Sequence, residues 1–436
     1  MEWPLALLLI FGGALVLLAT GMPVAFALLM ITPVGAVLFW NGEAGLYQLT
    51  TSMFEAVSTF TLLPIPLFVL LGEVMFHSGM AMKMIDVLDK WLGRIPGRLG
   101  LLTVTGATLF STMSGSSIGT TAMLGSVLVP EMEKRGHKKE MIIGPIMGSG
   151  GLAMIIPPSG LAVLLAAIAE ISIADLLIAG IVPGLIIAFL YAAYIVGRCW
   201  IQPSLAPSYN VVPTPVSKKL RATVKYVLPQ GFIIFLVLGL IFLGIATPSE
   251  SAAMGALGAF LLAALYRKFN LALIKKSFKG TIRITIMTFM AIMAAKSFSL
   301  ILASSGATRG IVELMAAIPL VPMMTVIVMQ LILILMGMFM GSVSMILITI
   351  PIFFPIINLL GMNEVWFALL MLINMEMAMT TPPYGMILFV MKGVSPPGTS
   401  MSEIYKAGFP FLVCDFIVIL LIILFPALAL WLPDLM

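Results

Sequence analysis

The chain has 436 residues, 61% of them hydrophobic and 9% charged, with a mean hydropathy of +1.17 and a net charge of +5. A soluble domain carries about 25% charged residues, so this composition excludes one and leaves an all-α polytopic membrane protein. A transmembrane barrel would alternate apolar and polar residues over strands of about ten, and the continuous apolar runs contradict that.

Met1-Glu2-Trp3 lacks a basic leader region, so Leu5–Thr20 reads as a first span and not as a cleaved signal. Met22–Trp40 and Leu49–Phe76 follow, then a basic amphipathic connector at Lys83–Arg98. Next comes a split pair, Leu99–Met113 and Ile118–Pro130, around the polar turn Ser114-Gly115-Ser116-Ser117. Fifteen residues of helix reach about 22 Å, short of a hydrocarbon core of about 30 Å. The pair therefore reads as a re-entrant hairpin, with two short or tilted full spans as the alternative.

Met141–Glu170 is apolar enough to cross, yet Pro157-Pro158 interrupts it within Ser149–Gly160. Pro158 donates no N–H and forces Pro157 out of the α region. Backbone groups freed inside lipid must be satisfied by protein, water or an ion. A span broken at that depth is thus a candidate binding site. Leu176–Val196 completes the first half.

After a basic stretch at 198–225, spans are expected at Val227–Ala246, Ala252–Tyr266 and Ile284–Ser304. A second split pair follows at about Pro319–Met340 and Val343–Leu359. A second broken run, Val365–Met391, carries Thr380–Gly385, and Ala407–Leu432 is the last span. Five loop clusters, at 83–98, 131–140, 198–225, 267–283 and 392–406, hold all but two of the 23 Lys and Arg. They share one side if each split pair returns to the side it started from, and the positive-inside rule makes that side cytoplasmic. Both termini are then outside. The charge serves topology, so no nucleic-acid partner is implied.

Landmarks recur at an offset of 225 to 227 residues: Pro23 with Pro248, Ser78-Gly79 with Ser305-Gly306, Gly115-Ser116 with Gly341-Ser342, Pro157-Pro158 with Pro382-Pro383, and Pro183 with Pro410. Five crossings and a hairpin per half invert the second half relative to the first. The expected units are residues 1–197, a cytoplasmic linker at 198–225, and residues 226–436 with a hairpin at about 319–359 and a broken helix at 365–391. Such inverted repeats place substrate and ion sites between discontinuous helices. Freed carbonyls and hydroxyls suit a hard cation such as Na⁺.

Several segments also resemble the large membrane subunit of the tripartite ATP-independent periplasmic (TRAP) transporters. They are GMPVAFAL at 21–28, FSTMSGSSIGTTAMLG at 110–125, SGGLAMIIPPS at 149–159, ISIADLLIAGIVPGL at 171–185, ATPSESAA at 246–253 and NMEMAMTTPPYG at 374–385. The resemblance implies a bacterial inner-membrane importer with an elevator fold, driven by co-transported Na⁺ and specific for carboxylate-bearing solutes. It also implies a periplasmic substrate-binding protein and a small four-helix membrane subunit, here a separate chain, both working in lipid. Carried over by position, one Na⁺ site comprises Ser114, Gly115, Ser116, Ser117, Gly119, Ser149, Gly150, Gly151 and Pro157. The other comprises Gly341, Ser342, Val343, Ser344, Thr380, Thr381, Pro382 and Pro383. Substrate would lie between the hairpin tips, touching Ser116, Ser117, Pro158, Ser159, Ser342 and Ser344, with Lys296 a further candidate. Close helix packing is the alternative role for each small residue.

Lys296 and Glu376 each lie twelve residues into a span, roughly 18 Å deep. Ionisable groups at that depth pair or face a cavity, so the two are expected to share the polar interior. Asp415 reads as a scaffold contact, and Glu250 as a carboxylate at a helix N-terminus. No nucleotide-binding loop occurs, and neither His77, His137, Cys199 nor Cys414 has catalytic or metal-ligand spacing. An enzyme is therefore not expected. The rival readings are a stand-alone Na⁺/dicarboxylate symporter, a channel and, more distantly, an intramembrane enzyme.

Overall fold

The computed structural model describes residues 2–93, 95–114, 117–207, 215–317 and 321–436. Helices joined by short turns account for the fold, and no strand occurs among the described residues. The first half contains α1 (Trp3–Ala19), α2 (Val24–Phe39), α3 (Glu43–Ser58), α4 (Pro64–His77), α5 (Met80–Leu92), α6 (Arg98–Ser114), α7 (Ser117–Lys134), α8 (Lys139–Ile155), α9 (Gly160–Ala169) and α10 (Ile173–Ile201). The second contains α11 (Val216–Phe242), α12 (Pro248–Leu265), α13 (Leu271–Ser304), α14 (Ala307–Ala317), α15 (Pro322–Gly337), α16 (Ser342–Leu359), α17 (Glu364–Thr380), α18 (Met386–Val394) and α19 (Met401–Leu424). Among the described residues seven helices are long and apolar enough to cross a membrane, and α8 with α9 makes an eighth span bent by 42°. This is the polytopic helical protein that the composition demands.

Side-chain caps fix many of the helix starts by occupying N–H groups the helix leaves free. Ser172 accepts from the Asp175 N–H at 3.2 Å, Asn270 from Leu273 at 2.8 Å and Asn363 from Trp366 at 3.0 Å. Thr247 with Glu250, and Ser400 with Glu403, form reciprocal capping boxes. Glu250 thus has the N-terminal role expected of it.

Five spans differ clearly from the sequence reading, and one of them, read as Val227–Ala246, begins at Val216 inside the expected linker and ends at Phe242. Leu49–Phe76 is two helices, α3 and α4, parted at Thr59–Leu63. Pro64 and Pro66 stand just inside the second start, where a missing N–H costs nothing. Its counterpart, read as Ile284–Ser304, runs unbroken from Leu271 over 34 residues. The arm read as Pro319–Met340 is the 16-residue α15, with Pro319 outside the described residues. At about 24 Å it is as unable to span as the first arm of the other pair. The last span stops at Leu424, before Pro426.

Two bodies emerge from the packing. α2, α4, α12 and α13 pack together with α11, while α6, α7, α8, α10, α15, α17 and α19 form the other body; α9 touches both, and α4 also packs on α6. Pairing between the halves is reciprocal. α4 packs on α12 as α13 packs on α2, α7 on α18 as α16 on α9, and α8 and α10 pack on α17 and α19. Exchanging every helix for its counterpart 224 to 228 residues away maps this set of pairs onto itself.

Candidate functional site

The first break falls where Pro157 and Pro158 demand it. α8 is buried from Met141 to Ile155, and the four residues from Ile156 to Ser159 that part it from α9 are buried too. Ser159 caps α9 by accepting from the Ala162 N–H at 3.2 Å, and its hydroxyl donates to the Met154 carbonyl at 2.6 Å. That hydroxyl is thereby committed to its own turn. As a substrate contact Ser159 is already occupied, because a lone hydroxyl proton serves one acceptor at a time.

The second break is more open. Thr381 and Pro382 are half-buried, and Pro383 and Tyr384 are exposed. Thr380 and Thr381 both donate to the Met377 carbonyl, at 2.9 and 2.7 Å. Their oxygens keep lone pairs for another partner. The second hairpin tip reaches both breaks: Ser342 Oγ lies within donating distance of two sulfurs, Met379 Sδ at 3.0 Å and, as the alternative acceptor, Met154 Sδ at 3.8 Å. A Cβ built on Gly341 would lie 2.6 Å from Met386 Cε, so this glycine lets the tip close onto α18. Ser344 is half-buried and Val343 exposed on the first turn of α16.

At the first tip, Gly115, Ser116 and the side chain of Ser114 lie outside the described residues. Ser117 and Gly119 open α7, and Ser117 is buried against α8 and α17. Its hydroxyl donates to Glu376 Oε2 at 3.5 Å. Glu376 is 2% exposed, and a Cβ built on Gly151 would fall 1.2 Å from its Oε1. Only a residue with no side chain fits there. One turn away, Thr121 Oγ1 stands 1.9 Å from the Cβ position of Gly150. Neither Thr121 Oγ1 nor Ser149 Oγ, both buried, has a hydrogen-bond partner among the described residues.

Glu376 was expected to share its surroundings with Lys296, and the structure corrects this. Lys296 pairs with Glu170, the residue that ends α9. Lys296 and Glu170 line a cavity in which none of the described tip residues takes part. Among the described residues no lysine, arginine or histidine pairs with Glu376. A buried carboxylate without a counter-charge is costly. Its oxygens, with the Ser117 and Thr121 hydroxyls nearby, form a set of hard donors suited to a small cation.

Asp415 is the other buried acid of this body, on α19. Tyr191 of α10 donates to its Oδ1 at 2.5 Å, and the Tyr191 ring meets Phe411 edge-on at 5.0 Å. Cβ atoms built on Gly144 and Gly148 of α8 would lie 2.7 and 2.6 Å from the Phe411 ring. Small residues draw these helices together, which is the scaffold role expected of Asp415. Sequence reasoning missed Thr121 and the Glu376–Gly151 contact. The repeat offset itself held the signal, because Gly151 and Glu376 are 225 residues apart.

Residues 11–428 match the family model described as the DctM component of tripartite ATP-independent periplasmic transporters. The chain is 32% identical over 390 residues to the C4-dicarboxylate TRAP transporter large permease protein DctM of Pseudomonas aeruginosa, covering 89% of each chain. It is 31% identical over 447 residues to the protein of the same description from Rhodobacter capsulatus, covering 98% of this chain and 99% of the other. Among solved structures it resembles the YdaH transporter of Alcanivorax borkumensis, with a TM-score of 0.68 at 14% identity over 94% of this chain and 97% of the other. At that identity the likeness speaks for the fold alone.

Proposed function

The chain belongs to the tripartite ATP-independent periplasmic transporter family as its large membrane subunit, and on that premise we propose that it imports a carboxylate-bearing solute coupled to Na⁺. Its relatives are transporter permeases and not enzymes, so the chemistry to explain is binding and movement. One observation carries the coupling: Glu376 is buried at the meeting of the first tip and the first break, with no side-chain cation to balance it among the described residues.

The first ion site on this reading comprises Ser114 to Ser117, Gly119, Ser149 to Gly151 and Pro157. Glu376 joins it from the opposite half and supplies the negative charge. The second comprises Gly341 to Ser344 and Thr380 to Pro383. The threonine oxygens, whose protons are already given to Met377, are poised to accept a cation. The solute lies between the tips. Na⁺ binding offsets the buried charge, so the tips close favourably only when loaded, which is how an ion gradient drives a solute uphill.

The two bodies suit an elevator, in which the body holding the tips and breaks slides against α2, α4, α12 and α13. Reciprocal pairing of the halves supports a two-fold relation between residues 1–197 and 226–436 on either side of the linker 198–225. The odd number of crossings per half makes that relation an inverted one. The charge clusters support a cytoplasmic linker and outer termini in the bacterial inner membrane. A small four-helix subunit and a periplasmic binding protein complete the assembly.

Reconstituted vesicles test this, with the small subunit present. The C4-dicarboxylates named for the two DctM relatives make succinate the first solute to try. Uptake should require an inward Na⁺ gradient and the binding protein together. Uptake without the binding protein would favour a stand-alone symporter, and uptake indifferent to Na⁺ would remove the coupling.

A further inference from the structure

We propose that the cavity at Lys296 is a second anion site, in which the carboxylate of a small organic acid takes the place of Glu170. This rests on the reading of the chain as a carrier of organic acids, but the site is separate from the hairpin tips. The cavity measures about 560 Å³ and lies between the α3–α4 break, the end of α9, the start of α12 and α13. Pockets for small molecules run from about 300 to 1,000 Å³. Among the described residues Lys296 is the only basic residue on its lining and Glu170 the only acid.

Three features make the pair exchangeable. Lys296 rises from within α13, where a lone ammonium needs a partner or water. Its present partner is loosely held, since the Glu170 side chain is 69% exposed against 30% for Lys296. A partner carboxylate held this loosely is one that an incoming carboxylate can displace. The lining also offers hydroxyls: Thr61 Oγ1 donates to Thr59 Oγ1 at 3.2 Å, and Ser172 Oγ, which accepts from Asp175, keeps its own proton. Apolar walls from Phe60, Leu62 and Ile292 would hold the body of the acid.

A second void, of about 220 Å³, lies on the other side of the same pair, against Ser299, Asn358 and the α16 residues Pro351 and Phe354. Lys296 and Glu170 are shared by the two linings. Exchanging Glu170 for a solute carboxylate would open the larger cavity toward this void and the far end of α16.

Cysteine labelling tests the charge selectivity without needing the transported solute. Thr61→Cys places a thiol on the exposed lining, while Cys199 and Cys414 are buried. In the full-length protein in lipid nanodiscs, a negatively charged methanethiosulfonate should react several-fold faster than a positively charged one. Lys296→Met should cut that rate ratio roughly tenfold, Glu170→Gln should raise it, and Lys296→Arg should preserve it. Added succinate should slow the anionic reagent. A ratio indifferent to both Lys296→Met and Glu170→Gln would overturn the site, and should Lys296→Met fail to fold, Glu170→Gln and Lys296→Arg decide it alone. Failure of Na⁺-driven uptake in vesicles would strike the transport reading and leave this ratio untouched.

Discussion

The two broken helices share a pattern and divide the chemistry. Both α8 and α17 are 17 residues long, wholly buried over their last three turns, and ended by a Pro–Pro pair. At equivalent positions 225 residues apart, however, α8 carries Ser149, Gly150 and Gly151 where α17 carries Asn374, Met375 and Glu376. α8 has surrendered its side chains so that α17 can place a carboxylate against it. Where two like elements pack against each other, a small residue on one side permits a large one on the other. The difference teaches that a symmetric frame can hold an asymmetric site.

The largest effect should come from filling the small side of that contact. Gly151→Ala puts a methyl where Glu376 Oε1 and Cδ stand, at 1.2 and 1.6 Å. Overpacking combined with a displaced buried charge should cost roughly 3 kcal/mol or more, seen as a large fall in melting temperature of the purified protein. Adding Glu376→Ala should restore most of the loss, because the obstruction is gone. A double variant no more stable than Gly151→Ala would show that the two residues do not oppose one another.

Next in size is the carboxylate itself. Glu376→Gln keeps the shape and removes the charge, so the Na⁺ concentration for half-maximal uptake should rise about tenfold, the equivalent of about 1.4 kcal/mol. Gly151 tolerates the isostere, so melting temperature without Na⁺ should hold or rise. Unchanged Na⁺ dependence would place the carboxylate outside the ion pathway.

A smaller contrast separates Ser149 from its counterpart Asn374. Asn374 Nδ2 donates to the Gln330 carbonyl at 2.9 Å and to Gln330 Oε1 at 2.8 Å, tying α17 to α15. Asn374→Ala should cost about 1–3 kcal/mol by orphaning those acceptors. Ser149→Ala breaks no bond among the described residues and should leave stability unchanged. A weakened Na⁺ response in Ser149→Ala alone would mark Ser149 Oγ as a ligand, whereas equal destabilisation by both would erase the contrast.

Much of this frame was legible because it is written in backbone chemistry. Pro157-Pro158 and Pro382-Pro383 must end helices wherever they fall, and Gly79 and Gly306, with φ of +70° and +77°, must turn. Side-chain partners across the halves were not legible. Depth along a span put Lys296 and Glu376 at one level, but depth is a single coordinate and says nothing of which face a residue occupies. α9 ends at Glu170, close enough for Lys296 to reach, and α17 turns Glu376 toward Gly151 instead. The α3–α4 break was missed for a related reason. Hydropathy sees Thr59-Phe60-Thr61 as a brief dip, while Pro64 and Pro66 make it a new helix start.

The smallest effect concerns the turns that precede the two broken helices, where the halves are alike in backbone and differ in side chains. Gly136 and Gly361 take φ of +76° and +63°, and the following N–H bonds back to Met132 at 3.0 Å and to Ile357 at 3.2 Å. The residue in that place is His137 in one half and Met362 in the other. Burial holds the His137 imidazole below its ordinary value, against an upward pull from the Met132 carbonyl, and Arg135 adds a small push in the same direction as burial. The unfolded chain therefore binds the proton more readily than the folded one. Stability from this group is complete above the unfolded value near 6.5 and is lost as pH falls through the lower folded value. His137→Met, which installs the other half's residue, should flatten the decline in melting temperature between about pH 7 and pH 5 without altering the value at pH 8. A decline of equal slope in both proteins would assign the acid sensitivity to other groups.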